Sequence, residues 1–239
     1  MGSCLRRGGP FGHAAPPVWQ ALYDSPWHHP AVAWLAVVVG AVALASRQRF
    51  LVGYLVLFGL EIAADALASS PFVSLPGAWG TAVAVAFVVL GDLRVLLWVE
   101  RAWGEGKPLR AAAVARAVGL SLVVPIASTV VRLLSSRVAG VMRLQFLAYE
   151  ALFVALALVL RLVVHRAKAP TIAPEWRRSA GAVLAFVTVQ YTLWATADVL
   201  ILSGVGAGFG LRLVPNIMYY ALFLPFVFVT APPSDKAAP

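Results

Sequence analysis

The chain contains seven long apolar stretches, and these restrict its fold more than any other feature of the sequence. They lie at 27–46, 50–69, 79–99, 111–134, 142–164, 179–203 and 211–231. Each has roughly the 20 residues that an α-helix needs to cross a bilayer core of about 30 Å. The sequence therefore predicts an all-α polytopic membrane protein, a bundle of about seven transmembrane helices.

The composition agrees with a protein surrounded by lipid. Hydrophobic residues make up 61% of the chain and charged residues 12%, whereas a soluble domain carries about 25% charged residues. We expect one transmembrane domain at 27–231, a mobile N-terminal tail at 1–26 and a C-terminal tail at 232–239.

The positions of Lys and Arg predict the orientation, since cytoplasmic loops are enriched in these residues. They cluster in the first, third and fifth connectors, whereas Arg137 and Arg143 near the fourth connector oppose this pattern. We expect the N-terminus outside and the C-terminus in the cytoplasm. The Pro- and Ala-rich composition, with Arg favoured over Lys, is typical of a high-GC bacterial genome and hence suggests a bacterial plasma (inner) membrane.

Ionisable residues inside the apolar stretches are the best indication of a site. They are Glu61, Asp65, Asp92, Arg94, Arg132, Glu150 and Asp198. An unpaired charge at the bilayer centre costs about 2.5 to 3.5 kcal/mol, so five uncompensated acids would cost roughly 15 kcal/mol. We therefore expect these side chains to face the bundle interior or a hydrated cavity.

Helical spacing and the predicted orientation place several of these residues near one another in the outer half of the membrane. In the resulting hypothesis, Asp65 and Asp198 take up a proton or cation, and Arg132 binds an anionic group or neutralises an acid. The candidate binding residues are Glu61, Asp65, Arg132, Glu150, Asp198, Gln190, Trp194, Asn216 and Tyr219. No catalytic residue and no cofactor is predicted, and the pattern leaves the presence of a metal undecided.

A second charged group lies near the predicted cytoplasmic end of the third stretch. It consists of Asp92, Arg94, Glu100 and Arg101. Long basic side chains near a helix end extend towards the membrane surface. We interpret this group as pairing at the membrane interface.

Two segments in the second and sixth stretches resemble each other. The segment 58–67 aligns without gaps to 191–200 with four identical positions, and the alignment places Asp65 opposite Asp198. Several small transporters contain parallel halves of this kind. The similarity indicates a possible repeat built from common residue types.

The sequence disfavours several classes of protein. The single cysteine, Cys4, excludes an intrachain disulfide. The lysines Lys107, Lys168 and Lys236 lie in predicted loops or the tail, which disfavours retinal binding, and His165 lies at the end of a predicted span and not inside it, which disfavours haem. The basic residues do not form a face interleaved with aromatics, so no nucleic-acid binding is predicted.

These observations favour a proton- or cation-coupled transporter of small solutes. The alternative is a ligand-sensing, accessory or structural subunit of a membrane complex, which needs a membrane protein partner. A third hypothesis is an unfamiliar lipid-modifying enzyme with Asp92 or Glu61 as its base. The sequence contains neither the His-Glu-x-x-His zinc motif, nor the Gly-x-Ser-x-Gly serine motif, nor the Gly-x-Gly-Asp aspartyl motif, so it disfavours an enzymatic function.

Overall fold

The structure is a computed structural model that describes residues 18–25, 49–68, 72–73, 76–135 and 141–233. The first predicted apolar stretch, 27–46, lies outside these residues. The described part is built from helices and contains no β-strand. The all-α prediction is therefore confirmed for this part of the chain.

The helices follow one another with short connections. They are α1 (Val18–Tyr23), α2 (Arg49–Ala68), α3 (Gly77–Trp103), α4 (Ala111–Leu134), α5 (Val141–Val159), α6 (His165–Lys168), α7 (Pro174–Leu202), α8 (Ala207–Ile217) and α9 (Phe223–Thr230). A π-helical turn, Leu160–Val164, joins α5 to α6, and a second, Met218–Leu222, joins α8 to α9. Helix α1 falls within 1–26, the segment for which the sequence predicts a mobile tail.

Five helical segments are long and apolar enough to cross a membrane. They are Leu51–Ala68, Ala111–Leu134, Arg143–Thr171, Pro174–Leu202 and Ala207–Thr230. Helix α3 has 27 residues and includes Asp92, Arg94, Glu100 and Arg101, and it is not among the five. These five segments indicate that the chain is an integral membrane protein. The total of seven membrane spans remains a prediction.

Helix α7 lies at the centre of the described bundle. It packs against α3, α5, α8 and α9, while α4 packs against both α3 and α5. Polar side chains such as Asp198 and Gln190 are buried on α7, whereas large apolar side chains such as Ile126 (61% exposed) and Val189 point outward. Because a soluble protein buries its apolar and exposes its charged residues, this reversed arrangement fits a lipid environment.

The π turn at Met218–Leu222 explains how the last span accommodates a proline. Pro225 lacks the N–H that an α-helix would use to bond the carbonyl of Ala221. The wider turn immediately before α9 changes the hydrogen-bond register at this point. A proline inside a helix favours a bend, but it carries no information on the type of turn before it.

Two glycines permit close approaches that shape the bundle. Gly106 has a φ of +73°, and a Cβ there would collide with Trp176. A Cβ on Gly208 would lie 2.8 Å from the carbonyl oxygen of Ala197 on α7. The glycine-rich segment 204–210 is therefore not entirely a loop, because α8 begins at Ala207 and packs tightly against α7.

Candidate functional site

Two acids and two arginines form an ion-pair network between α5, α7 and α8. Arg143 Nη1 lies 2.7 Å from Asp198 Oδ1, and Arg212 Nη1 lies 3.1 Å from Glu150 Oε1. Arg212 Nη1 also donates to the same Asp198 oxygen. We call Arg143, Glu150, Asp198 and Arg212 the arginine cluster; its two acids match its two bases in number.

Helix α1 covers the arginine cluster. Arg212 Nε donates a hydrogen bond of 2.9 Å to Tyr23 Oη, and the Tyr23 ring packs against Phe209 with centroids 5.7 Å apart. Trp19 lies so close to Gly210 that a Cβ there would come within 2.9 Å of its ring. Residues of the predicted tail therefore contribute to the environment of the cluster.

Asp92 on α3 is fully buried and is bound by two tyrosines from other helices. Tyr149 Oη on α5 lies 2.8 Å from both carboxylate oxygens, and Tyr191 Oη on α7 donates to Asp92 Oδ1 at 2.8 Å. The two hydroxyls are 3.3 Å apart. We call these three residues the tyrosine–aspartate triad. In the described part of the chain, no Lys or Arg lies within ion-pair distance of Asp92.

Arg94, two residues further along α3, is 1% exposed and makes the only described ion pair of Glu61. The distance from Arg94 Nη1 to Glu61 Oε2 is 3.7 Å. Arg94 Nη2 donates to the carbonyl oxygen of Tyr219 at 3.2 Å, and its guanidinium lies 3.9 Å from the centre of the Tyr219 ring. The interpretation of Asp92 and Arg94 as a snorkelling interfacial group is wrong, because both side chains are enclosed by protein.

Gly91 allows α3 to approach the second π turn. A Cβ at this position would overlap the hydroxyl of Tyr219 and lie 3.0 Å from Cε2 of the same ring. The glycine therefore positions Tyr219 beside Arg94. The sequence shows this glycine directly before Asp92, but its packing role depends on the rotation of α3.

The remaining predicted binding residues lie near these groups. Tyr220 Oη donates to Asp65 Oδ2 at 3.0 Å, and Trp194 Nε1 donates to Asn216 Oδ1 at 2.8 Å. The ring of Trp194 contacts those of both Tyr191 and Tyr219, at centroid distances of 5.1 and 5.7 Å. Trp194 thus lies between the tyrosine–aspartate triad and the Arg94 pair.

Arg132 is the predicted site residue that the structure does not join to these groups. Within the described residues, it has no ion pair with an acid, and its buried Nε has no hydrogen-bond partner. Arg212 and Arg143 are instead the partners of Asp198 and Glu150. Arg212 stands near the start of the seventh apolar stretch, 211–231, and hydropathy carries no information on its position relative to α7.

Several buried polar atoms lack a hydrogen-bond partner among the described residues. Three are acceptors near the clusters: Glu150 Oε2, Asp198 Oδ2 and Gln190 Oε1. Burying a polar atom without a hydrogen bond costs roughly 1 to 3 kcal/mol. These oxygens are therefore suited to accept a hydrogen bond from a proton carrier, a water molecule or a polar solute.

No group of three or more His, Cys, Asp and Glu residues with metal-binding spacing occurs in the described ranges. The arrangement is instead a set of carboxylates held by arginines and tyrosines. It is suited to binding protons or polar donors. No protein-family model, curated protein or solved structure matches this chain.

Proposed function

We propose that this integral membrane protein couples the movement of a proton or cation to the transport of a small solute, with Asp92 as the coupling residue. The observation that supports the proposal best is the environment of Asp92. Its carboxylate is fully buried and receives hydrogen bonds from Tyr149 and Tyr191. A buried carboxylate without an ion-pair partner is costly, and binding a proton or cation removes that cost.

The charge balance distinguishes Asp92 from Asp198. Asp198 accepts from both Arg143 and Arg212, so its negative charge is compensated. Arg94 lies close to both Glu61 and Asp92, and among the described residues it pairs with Glu61. Asp92 therefore keeps an uncompensated negative charge when it is ionised. This arrangement favours Asp92 over Asp198 as the residue that exchanges a proton.

The tyrosines give Asp92 a way to gain a proton without losing its hydrogen bonds. Tyrosine hydroxyls both donate and accept. The charged and titratable groups facing Asp92 are Tyr149 from α5, Tyr191 from α7, Tyr219 from the second π turn and Arg94 from α3 itself. When Asp92 is protonated, its O–H donates to one tyrosine oxygen, and that hydroxyl turns to another acceptor.

The polar side chains between the arginine cluster and the triad are the proposed solute-binding region. Tyr191 and Asp198 are seven residues apart on α7, which corresponds to about 10 Å along a helix. Trp194 lies in this interval and donates to Asn216, and the buried Gln190 directly precedes Tyr191. A solute with hydrogen-bond donors would satisfy the buried oxygens of Gln190, Glu150 and Asp198.

The test is proton flux into liposomes that contain the purified protein, under an imposed pH gradient with candidate solutes and varied salt. We expect Asp92→Asn to abolish coupled flux, because the amide cannot release a proton at neutral pH. Asp24→Asn, a change at an exposed aspartate, is the matched control and should retain flux.

Both variants must show the same unfolding midpoint as the wild-type protein within a few degrees. Equal flux in the Asp92→Asn variant would contradict the role of Asp92. Absence of flux from the wild-type protein in every condition would contradict transport and favour the accessory-subunit hypothesis.

A further inference from the structure

One end of the described bundle contains a cleft with an unusual concentration of positive charge. The cleft has a volume of about 390 Å³ and lies between the α3–α4 connection, the first turns of α4, and the chain that follows α6. Its basic lining residues are Lys107, Arg110, Arg116 and Lys168. Two acids, Glu100 and Glu105, also line it, so positive charge is in excess.

Two of the four cations are already neutralised within the protein. Arg116 forms a two-point ion pair with Glu100, with N–O distances of 3.0 and 2.7 Å. Lys107 Nζ lies 3.7 Å from Glu105 Oε2. Because each of these two residues pairs with a carboxylate, they do not account for the excess of positive charge.

Arg110 and Lys168 are the uncompensated cations. Neither makes an ion pair with a described residue. Lys168 Nζ lies 5.3 Å from the centre of the Trp103 ring, an attraction that leaves its charge available. The two residues come from different segments yet line the same cleft.

The main chain adds to this positive field. Helix α4 begins at Ala111 with no side-chain cap and no acidic residue in its first turn. Ala112 and Ala113 of that turn line the cleft. The free N–H groups and the dipole at a helix N-terminus favour an anion.

The surroundings indicate which anion the cleft would hold. It lies at the end of two membrane-spanning segments, where lipid headgroups are present, and Trp103 is an aromatic residue of the kind that lies at that level. We propose that the cleft binds the headgroup of an anionic phospholipid. The phosphate contacts Arg110, Lys168 and the start of α4, and the acyl chains extend along the exposed apolar side of α4, which includes Val114 and Val118.

The test is the binding of a fluorescent short-chain phosphatidylglycerol to detergent-purified protein, measured by anisotropy at fixed ionic strength. The test variant is the double substitution Arg110→Gln and Lys168→Gln. The control is Arg177→Gln with Arg178→Gln, which removes the same charge from exposed residues that do not line the cleft.

We expect the cleft variant to weaken phosphatidylglycerol binding by roughly tenfold or more, since a basic residue contributes appreciably to the attraction of an anionic lipid. The control variant should stay within about twofold of the wild-type protein. The wild type should prefer phosphatidylglycerol to phosphatidylcholine, and inorganic phosphate at equal ionic strength should not displace it.

Three results would overturn the proposal. Equal weakening in both variants would mean that net charge alone attracts the lipid. Equal binding of phosphatidylcholine would exclude recognition of the anionic headgroup. Displacement by inorganic phosphate alone would assign the cleft to a soluble anion. The substituted side chains are exposed, and an unchanged unfolding midpoint without lipid would verify the fold of each variant.

Discussion

At the scale of single residues, the arginines determine which buried acids are compensated. Arg212 contacts both Glu150 and Asp198, and its Nε donates a hydrogen bond to Tyr23 Oη. Arg94 forms an ion pair with Glu61, and its guanidinium packs over the ring of Tyr219. The presence of buried acids could be predicted from the sequence, because each stands out in an apolar stretch. Their partners could not, since a partner depends on the rotation of each helix about its axis.

Loss of Arg212 should be costly for stability. In Arg212→Gln, Glu150 loses its described ion-pair partner, while Asp198 keeps Arg143. Removing one partner of a buried ion pair typically costs about 3 to 5 kcal/mol. We expect a lowered free energy of unfolding in detergent, measured by chemical denaturation.

The double variant Arg212→Gln with Glu150→Gln should recover part of that loss, because no unpaired charge remains at position 150. Arg161→Gln, at an exposed position, is the control and should change stability by less than about 0.5 kcal/mol. A loss below about 1 kcal/mol in Arg212→Gln would show that the cluster is hydrated and contributes little.

At the scale of elements, the apolar pattern predicts the bounds of two helices closely and the irregular turns poorly. The fourth stretch, 111–134, coincides with α4, and 50–69 differs from α2 by one residue at each end. The π turns at Leu160–Val164 and Met218–Leu222 were not predicted. An extra residue in a turn leaves hydropathy unchanged, although it reorients every side chain that follows.

The contact between α3 and the second π turn can be tested at Gly91. Gly91→Ala places a methyl group against the Tyr219 hydroxyl, and overpacking of this kind costs about 1 to 3 kcal/mol. Gly119→Ala is the matched control, because no atom lies within 4 Å of a Cβ there. It should be neutral or stabilising by up to about 1 kcal/mol. Thermal unfolding of both variants measures the difference.

Adding Tyr219→Phe to Gly91→Ala removes the nearest atom of the clash and should restore part of the lost stability. If Gly91→Ala and Gly119→Ala behave alike, the close approach of α3 to the π turn does not exist in solution. A glycine next to a charged residue inside a span, such as Gly91 before Asp92, therefore indicates a place where another segment packs closely against the helix.

At the scale of the whole molecule, the distribution of basic residues predicts the orientation in the membrane. The cleft residues Lys107, Arg110 and Lys168 lie at one end of the bundle, which we expect to be cytoplasmic. The turn after α7 at Ser203 should then be outside. The assignment is a prediction from the distribution of charged residues.

Cysteine labelling of intact cells tests this orientation. In a background with Cys4→Ser, Ser203→Cys should react with a membrane-impermeant maleimide before lysis. Lys107→Cys, at a side chain that is 74% exposed, should react only after lysis. The reverse pattern would contradict the predicted orientation. Reaction at both positions before lysis would show that the cells are permeable, and the experiment would then be repeated with sealed vesicles.

Each of the three residues of the tyrosine–aspartate triad comes from a different helix, α3, α5 or α7. The lengths of its hydrogen bonds therefore report the spacing of those helices, and any separation of α5 from α7 removes a donor from Asp92. By linkage, a proton that favours one set of donors also favours one helix spacing. Proton binding to Asp92 and the spacing of these three helices are consequently coupled, so that a change in one shifts the other.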